Sequence, residues 1–181
     1  MKKLIKILLI VIGFIGIILF YFNLNTDPPE DLISSFLENY HKYSKQTKNH
    51  LSILIDYRKP VFKKRLWVID NSSGAVWLNA HVGHAFKSGF FVPSKFSNTP
   101  QTELSSYGCF ITQESYIGES GFSMKIMGLE QGINNNVRAR NIIFHGYTPP
   151  IYSRGCFITW PSVNKEIIEM TKNGSLVLVY K

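Results

Sequence analysis

The stretch Asn141-Ile142-Ile143-Phe144-His145-Gly146-Tyr147-Thr148-Pro149-Pro150-Ile151-Tyr152-Ser153-Arg154-Gly155-Cys156 concentrates the chemistry of this chain. Its first four residues read as a buried strand ending in His145-Gly146, so an imidazole projects from a rigid element toward a loop surface. The loop that follows contains Pro149 and Pro150 and can bring Cys156 back against the histidine. Nucleophilic thiol chemistry requires that pairing: a free cysteine has a pKa of about 8.5, and an imidazole can accept its proton or stabilise the thiolate. Gly155 permits a tight backbone turn. Such a turn can aim the N–H groups of Gly155 and Cys156 at a developing oxyanion. On spacing alone the same residues also describe a buried cysteine near a strand-end histidine, or half of a Cys109–Cys156 disulfide.

Upstream, the chain reads as strand-rich with helices at two places. Asp27-Pro28-Pro29-Glu30 predicts a helix start, with Asp27 as cap and Pro28 at the first helical position. Leu32, Ile33, Phe36, Leu37, Tyr40 and Tyr43 then recur at helical spacing through about Gln46. Strand-like runs follow at Leu51 to Asp56, Arg65 to Asp70 and Ala75 to Val82, the last two separated by the turn Asn71-Ser72-Ser73-Gly74. Shorter apolar runs occupy Cys109 to Thr112, Met124 to Leu129 and Asn141 to Phe144. Pro161 to Lys172 predicts a helix with Gly174 past its end, and Ser175 to Tyr180 a buried final strand. Gly-Cys-Phe-Ile-Thr occurs at 108–112 and again at 155–159. A duplication, a structural pseudo-repeat and chance all account for it.

Lys2, Lys3 and Lys6 precede the uncharged stretch Ile7 to Leu24, whose 18 residues would span about 27 Å as a helix, close to a hydrocarbon core. The lysines favour the cytoplasmic side, which places the remainder outside. The exit, Tyr21-Phe22-Asn23-Leu24-Asn25, has no small residues for signal cleavage, and no cysteine before Cys109 can take a lipid. The expectation is an uncleaved signal anchor; the alternative is a long secretory signal cut at an atypical site. Residues 1–25 are thus the cytoplasmic tip and anchor, 26–49 a docked amphipathic helix, and 50–181 the main domain. Export disfavours nucleic acid as a partner and makes a single disulfide a common use of two cysteines.

Composition narrows the class further. A chain of 181 residues can bury a real core as one domain. With 45% apolar and 18% charged residues it is not disordered overall. Thirteen glycines without a three-residue period exclude collagen, and two cysteines exclude a four-thiolate zinc site. Three of the net +8 charges belong to the N-terminal lysines.

Ser153-Arg154-Gly155-Cys156 resembles the S/T-x-G-C signature of YkuD-like L,D-transpeptidases, and in particular the murein L,D-transpeptidase catalytic domain family. The resemblance continues upstream in consistent order: Leu66-Trp67-Val68-Ile69-Asp70, Val82-Gly83-His84, Ser88-Gly89, Phe96-Ser97-Asn98, Tyr116, Gly118, Gly121, Gly128-Leu129-Glu130, Asn134, Arg140 and His145-Gly146. It covers about residues 50 to 180. Ala85 departs from the glycine usual after the equivalent of His84, the 145-to-153 loop is short for the family, and Phe157 stands where relatives commonly carry another residue.

The resemblance implies a mostly β fold with peripheral helices, an α+β catalytic domain of YkuD-like type behind a transmembrane helix. It implies a partner, the stem peptides of peptidoglycan, and a mechanism. Cys156 is the nucleophile that forms a thioester with loss of D-alanine, which an amine or water resolves. His145 is the general base and then acid, Gly146 follows it in the motif, and Gly155 supplies an oxyanion-hole backbone group. Arg140, Arg154, Ser153, His84 and Trp160 are candidates for substrate binding, an arginine holding a carboxylate by a bidentate pair. No metal or organic cofactor is implied. The competing reading is an inactive wall-binding or structural domain stapled by Cys109–Cys156.

Other conspicuous residues weigh less. His81 and His84 form H-x-x-H, which a strand points to opposite faces, a poor metal site. Gly118-Glu119-Ser120-Gly121 lacks nucleophile-elbow spacing. Arg58, Lys59, Lys63, Lys64 and Arg65 cluster around Pro60, either as a solvated turn or as an attraction for anionic lipid or wall polymer.

Overall fold

The computed structural model describes residues 2–181. In chain order its elements are Lys2–Asn23 (α1), Glu30–Lys42 (α2), Leu51–Asp56 (β1), Leu66–Asp70 (β2), Val76–Ala80 (β3), His84–Ala85 (β4), Gly108–Gly118 (β5), Gly121–Gly128 (β6), Ile143–Gly146 (β7), Tyr152–Ser153 (β8), Phe157–Thr159 (β9), Pro161–Thr171 (α3) and Leu176–Tyr180 (β10). The architecture is mostly β with peripheral helices. Eight strands form one sheet in the order β3-β2-β1-β10-β5-β6-β7-β9. The β1–β10 and β7–β9 pairs are parallel, and the other neighbours in that sheet are antiparallel.

Two-residue alternation divides the core. In β1, Ile53 and Ile55 join one apolar cluster and Leu54 the other. In β10, Val177 and Val179 oppose Leu176 and Leu178, and in β2 Leu66 and Val68 oppose Trp67 and Ile69. Strands apolar on both sides must be covered on both faces. Ile167 and Ile168 of α3 cover one, and Leu32 and Phe36 of α2 cover the other. Helix α2 is therefore built into the sheet's packing.

The β7–β9 pair matters most for function. Phe144 lies opposite Phe157, and their rings stack with centroids 4.8 Å apart. Phe157 also meets Phe110 edge-on at 5.8 Å and lies parallel to Tyr57 at 6.4 Å. Side chains alternate along strands, so His145, after Phe144, and Cys156, before Phe157, turn away from this stack.

The sequence reading needs three corrections. The helix expected from Asp27 begins at Glu30, with Pro29 at its N-cap position and no side-chain cap. A residue before proline avoids helical geometry, so the Pro28-Pro29 pair keeps the chain extended. The strand expected at Asn141 to Phe144 runs instead from Ile143 to Gly146, because Asn141 turns at φ 53°. His145 therefore sits inside the strand, opposite Ile158. The runs at Cys109 and Met124 are longer than expected, forming β5 and β6.

The repeated pentapeptide starts a strand at each site after a left-handed glycine, Gly108 at φ 92° and Gly155 at φ 132°. The two strands differ in partners, β5 being internal and β9 at the sheet edge. Their similarity ends at that start. In the hairpin at Asn71, the Asp70 carboxylate accepts the Ser72 hydroxyl (2.6 Å) and the N–H groups of Ser73 (2.9 Å) and Ser72 (3.0 Å), which together hold its pKa below the ordinary carboxylate range. Within α1, Leu4–Asn23 is long and apolar enough to cross a membrane and is not buried by the rest of the chain.

Replacing Phe157 with alanine should cost about 3–5 kcal/mol of stability in urea unfolding, as for other buried aromatics. Leu37→Ala on the exposed side of α2 should stay within about 0.5 kcal/mol. A Phe157→Ala loss near that of Leu37→Ala contradicts the role given to the stack.

Candidate active site

The thiol of Cys156 is half-buried and rests 3.5 Å from the Asn141 carbonyl, to which it can donate. Burial pushes its pKa up, while the Ile143 N–H and the Arg140 charge oppose the shift without overcoming it. His145 is also half-buried, and burial holds its pKa below the usual imidazole value. Its Nδ1 lies 3.0 Å from the Gly146 carbonyl oxygen. A carbonyl only accepts, so Nδ1 carries the proton and Nε2 keeps its lone pair. At neutral pH the pair is thus thiol and neutral imidazole.

The turn before the cysteine is built by Ser153. Its hydroxyl donates to the Cys156 carbonyl at 2.7 Å and accepts the Gly155 N–H at 3.1 Å. Ser153 thus shapes the loop while lining the cavity beside Cys156, and the Gly155 N–H, expected to meet an oxyanion, is bonded to the Ser153 hydroxyl. Gly155 has a different necessity. At φ 132° a side chain is strained, and a Cβ would meet Ile142 Cδ1 at 2.6 Å. Gly146 is equally confined, since a Cβ there would lie 2.8 Å from Pro161 Cα.

Arg140, expected to hold a substrate carboxylate, lies beneath this turn. It donates to the carbonyls of Ser97 and Leu104 and to the Ser106 hydroxyl. Those bonds use three of its five N–H groups and tie Arg140 to the 97–106 segment.

Two cavities meet at Cys156. One, about 560 Å³, is lined by His145, Tyr147, Tyr152, Arg154, Phe86, Lys87 and Glu103 among others. The other, about 460 Å³, is lined by Tyr116, Glu119, Lys125, Arg138 and Asn141 among others. Arg154 is largely exposed in the first, 3.8 Å from the Glu103 carboxylate, which also accepts Lys87 at 2.7 Å. Sequence reasoning missed Tyr152, Lys87 and Glu103. Tyr152 and Lys87 adjoin quoted motif residues and were open to discovery there; Glu103 carries no local signal.

His84 does not line the cleft. It is fully buried, with Nδ1 2.8 Å from Arg65 Nη2 and Nε2 2.9 Å from the Gly89 carbonyl. A guanidinium cannot accept, so Nδ1 accepts from Arg65 and Nε2–H donates to Gly89. Burial, then the Arg65 charge, lowers the pKa to about 4. Arg65 is buried as well and bonds the carbonyls of Val82 and Lys59. The pair holds the 3₁₀ turn Phe86–Ser88 and Gly89 in place beside the cleft, under the ring of Tyr152. Trp160 is likewise outside the cleft lining, half exposed at the start of α3. The disulfide is absent: both cysteines are free, and Cys109 belongs to the cluster under α2, where burial pushes its thiol up to about 12.

Residues 26–180 match the model of a family described as the L,D-transpeptidase catalytic domain. No curated protein matches the chain. Among solved structures, an L,D-transpeptidase from Stackebrandtia nassauensis is 15% identical, covering 75% of this chain and 57% of its own, with a TM-score of 0.45. An L,D-transpeptidase from Mycobacterium smegmatis is 9% identical, covering 73% and 59%, with a TM-score of 0.48. An Enterococcus faecium L,D-transpeptidase is 18% identical, covering 74% and 50%, with a TM-score of 0.46. The chain thus spans between half and three fifths of the length of these structures.

The His84 geometry has a consequence for stability. Its folded pKa of about 4 lies below the unfolded value of about 6.5. The stabilisation is therefore complete above pH ~6.5 and is lost as pH falls through the folded value. Thermal unfolding should show a midpoint that declines over that window. His84→Ala should be less stable at neutral pH and decline less steeply; an unchanged slope contradicts the assignment.

Proposed function

The chain belongs to the L,D-transpeptidase catalytic domain family, and from that premise we propose that it is a cysteine-dependent acyltransferase acting on the stem peptides of peptidoglycan. The observation that carries the reading is a thiol shared by two cavities, one of which also presents a neutral imidazole. An acyl transfer between two peptides needs room for both on either side of the nucleophile.

In the proposed reaction, Cys156 attacks the amide carbonyl between the third-position diamino acid and the following D-alanine. His145 Nε2 takes the thiol proton as the S–C bond forms. The oxyanion is met by backbone donors at the turn, for which Cys156 N–H remains once Gly155 N–H is assigned to Ser153. On collapse the imidazolium returns the proton to the departing amine, D-alanine leaves, and a thioester joins the stem to Cys156. The amine of a second stem then attacks the thioester, giving a cross-link and the free thiol; water in its place gives a trimmed stem. Arg154, largely exposed at the cleft, is the cation we assign to a stem carboxylate, with Lys87 beside it paired to Glu103. The positive N-terminus and apolar α1 support a single-pass anchor with this domain outside the cytoplasm.

Incubation of the full-length protein with purified tetrapeptide muropeptides should release D-alanine and yield dimers or tripeptides by mass spectrometry. Cys156→Ala should abolish release, and His145→Ala should lower kcat/KM by about 10²–10⁴-fold. Release that survives Cys156→Ala contradicts the proposal. The pH profile is a separate check. A base held below about 6.5 stays neutral as pH falls to that value, so the acid limb of kcat/KM should lie below it. An acid limb above neutrality contradicts the assignment of His145.

A further inference from the structure

One face outside the cleft carries aromatic rings and lysines together. Phe62, Phe90, Phe91 and Val92 are exposed there. The rings form a connected series that starts on α1. Phe22 meets Phe62 at 6.1 Å between centroids, Phe62 meets Phe91 at 5.4 Å, and Phe91 meets Phe90 at 4.7 Å. Phe90 then meets Tyr152 at 5.8 Å, and Tyr152 meets Phe86 at 5.2 Å. Tyr152 and Phe86 line the cavity that holds Cys156 and His145. An apolar strip thus runs from the end of α1 to the rim of the cleft, and a contiguous exposed patch of this kind marks an interaction surface.

Charge lies alongside it. A cavity of about 330 Å³ opens between Tyr21 and Phe22 of α1 and the side chains of Arg58, Lys59, Lys63 and Lys64. Arg58 is neutralised by Asp31 and Asp56. Among the described residues, Lys59, Lys63 and Lys64 have no carboxylate within ion-pair distance. Lys63 Nζ lies 2.5 Å from the Tyr21 hydroxyl, and Lys64 Nζ lies 2.6 Å from Asn25 Oδ1. The cations therefore gather where α1 ends.

The tether fixes this face near that point. Helix α1 ends at Asn23, and Thr26 is already held to the sheet: its N–H donates to Asn79 Oδ1 at 3.0 Å, and its carbonyl accepts from Trp67 Nε1. Three residues reach at most about 10 Å. Rings beside uncompensated lysines at the end of an apolar helix have the composition of a membrane interface, where rings sit at the headgroup level and ammonium groups meet lipid phosphates. An uncharged glycan would leave the lysines without counter-ions, and a soluble polyanion would leave the rings in water.

We propose that this face lies on the bilayer that holds α1, with Phe62, Phe90, Phe91 and Val92 at the acyl boundary and Lys63 and Lys64 on the phosphates of anionic lipid, while Lys59 lies over the Trp67 ring. The proposal rests on the reading of α1 as a membrane span. It holds the rim made by Tyr152 and Phe86 at the membrane surface, so the cleft takes the stem peptides nearest the lipid.

The test uses the full-length chain carrying Cys156→Ser and Phe91→Cys, labelled with an environment-sensitive nitrobenzoxadiazole dye. It is reconstituted into vesicles of phosphatidylcholine and phosphatidylglycerol. Cys156→Ser alone, treated identically, gives the background from buried Cys109. Phosphatidylcholine with a headgroup nitroxide should remove most of the dye's emission, and the added pair Lys63→Glu and Lys64→Glu should restore much of it. Val92→Cys, labelled the same way, gives the reading where Phe91→Cys does not fold. A chain extracted from the vesicles by alkaline carbonate overturns the membrane span and the proposal with it. A chain that stays inserted with an unquenched dye overturns the proposal alone. So does a dye shielded by added glycan strands and not by lipid, which would give the face to the wall polymer.

Discussion

Phe144 and Phe157 face each other across a parallel pair of strands, and the arrangement of the site depends on that contact. The stack fixes β9 against β7, and alternation along the two strands then turns His145 and Cys156 away from the core toward a common cleft. Neither catalytic candidate has to be positioned by its own hydrogen bonds. The positioning energy comes from buried rings on the other side of the sheet, where Phe110 and Tyr57 complete the packing. A site fixed in this way keeps its thiol and imidazole free of mutual constraint before substrate arrives.

That freedom shows in the electrostatics. Burial raises the Cys156 thiol and lowers the His145 imidazole, so both groups are neutral and no ion pair is preformed. A neutral imidazole is a competent base, and in the proposed reaction the proton moves only when an electrophile takes up the sulfur's electrons. The surrounding polar groups serve shape. Ser153 closes the turn, Arg140 holds the 97–106 segment, and Arg65 with His84 holds the rim at Gly89. The neutral tautomer of His84 is required by the arginine beside it, so the rim's integrity is linked to pH even though His84 never meets the cleft.

Much of this was legible in the sequence. The apolar runs from Leu51, Leu66 and Leu176 fall on real strands because their alternation and turn residues agree, and Pro161 does open α3. The Gly155-Cys156 turn and His145 do converge on one cleft. What failed were roles assigned to polar side chains. Arg140, His84 and Ser153 looked like ligands for a substrate, but Ser153 bonds the backbone of its own turn, His84 meets Arg65 and the Gly89 carbonyl, and Arg140 meets carbonyls 36 and 43 residues away, where no local pattern reveals a partner. The start of α2 failed for a local reason, since Pro28-Pro29 resists the helical geometry that a cap at Asp27 requires. Glu103 and the two-cavity approach to Cys156 are products of the tertiary fold alone.

The central claim is that the Cys156 sulfur becomes acylated by a stem peptide. Intact-protein mass spectrometry of the full-length chain, quenched in acid shortly after mixing with a tetrapeptide muropeptide, tests it directly. The account predicts an adduct equal to the muropeptide less D-alanine, located on the peptide containing Cys156 and removed by hydroxylamine. Turnover without any such adduct, or an adduct carried by another residue, would contradict it.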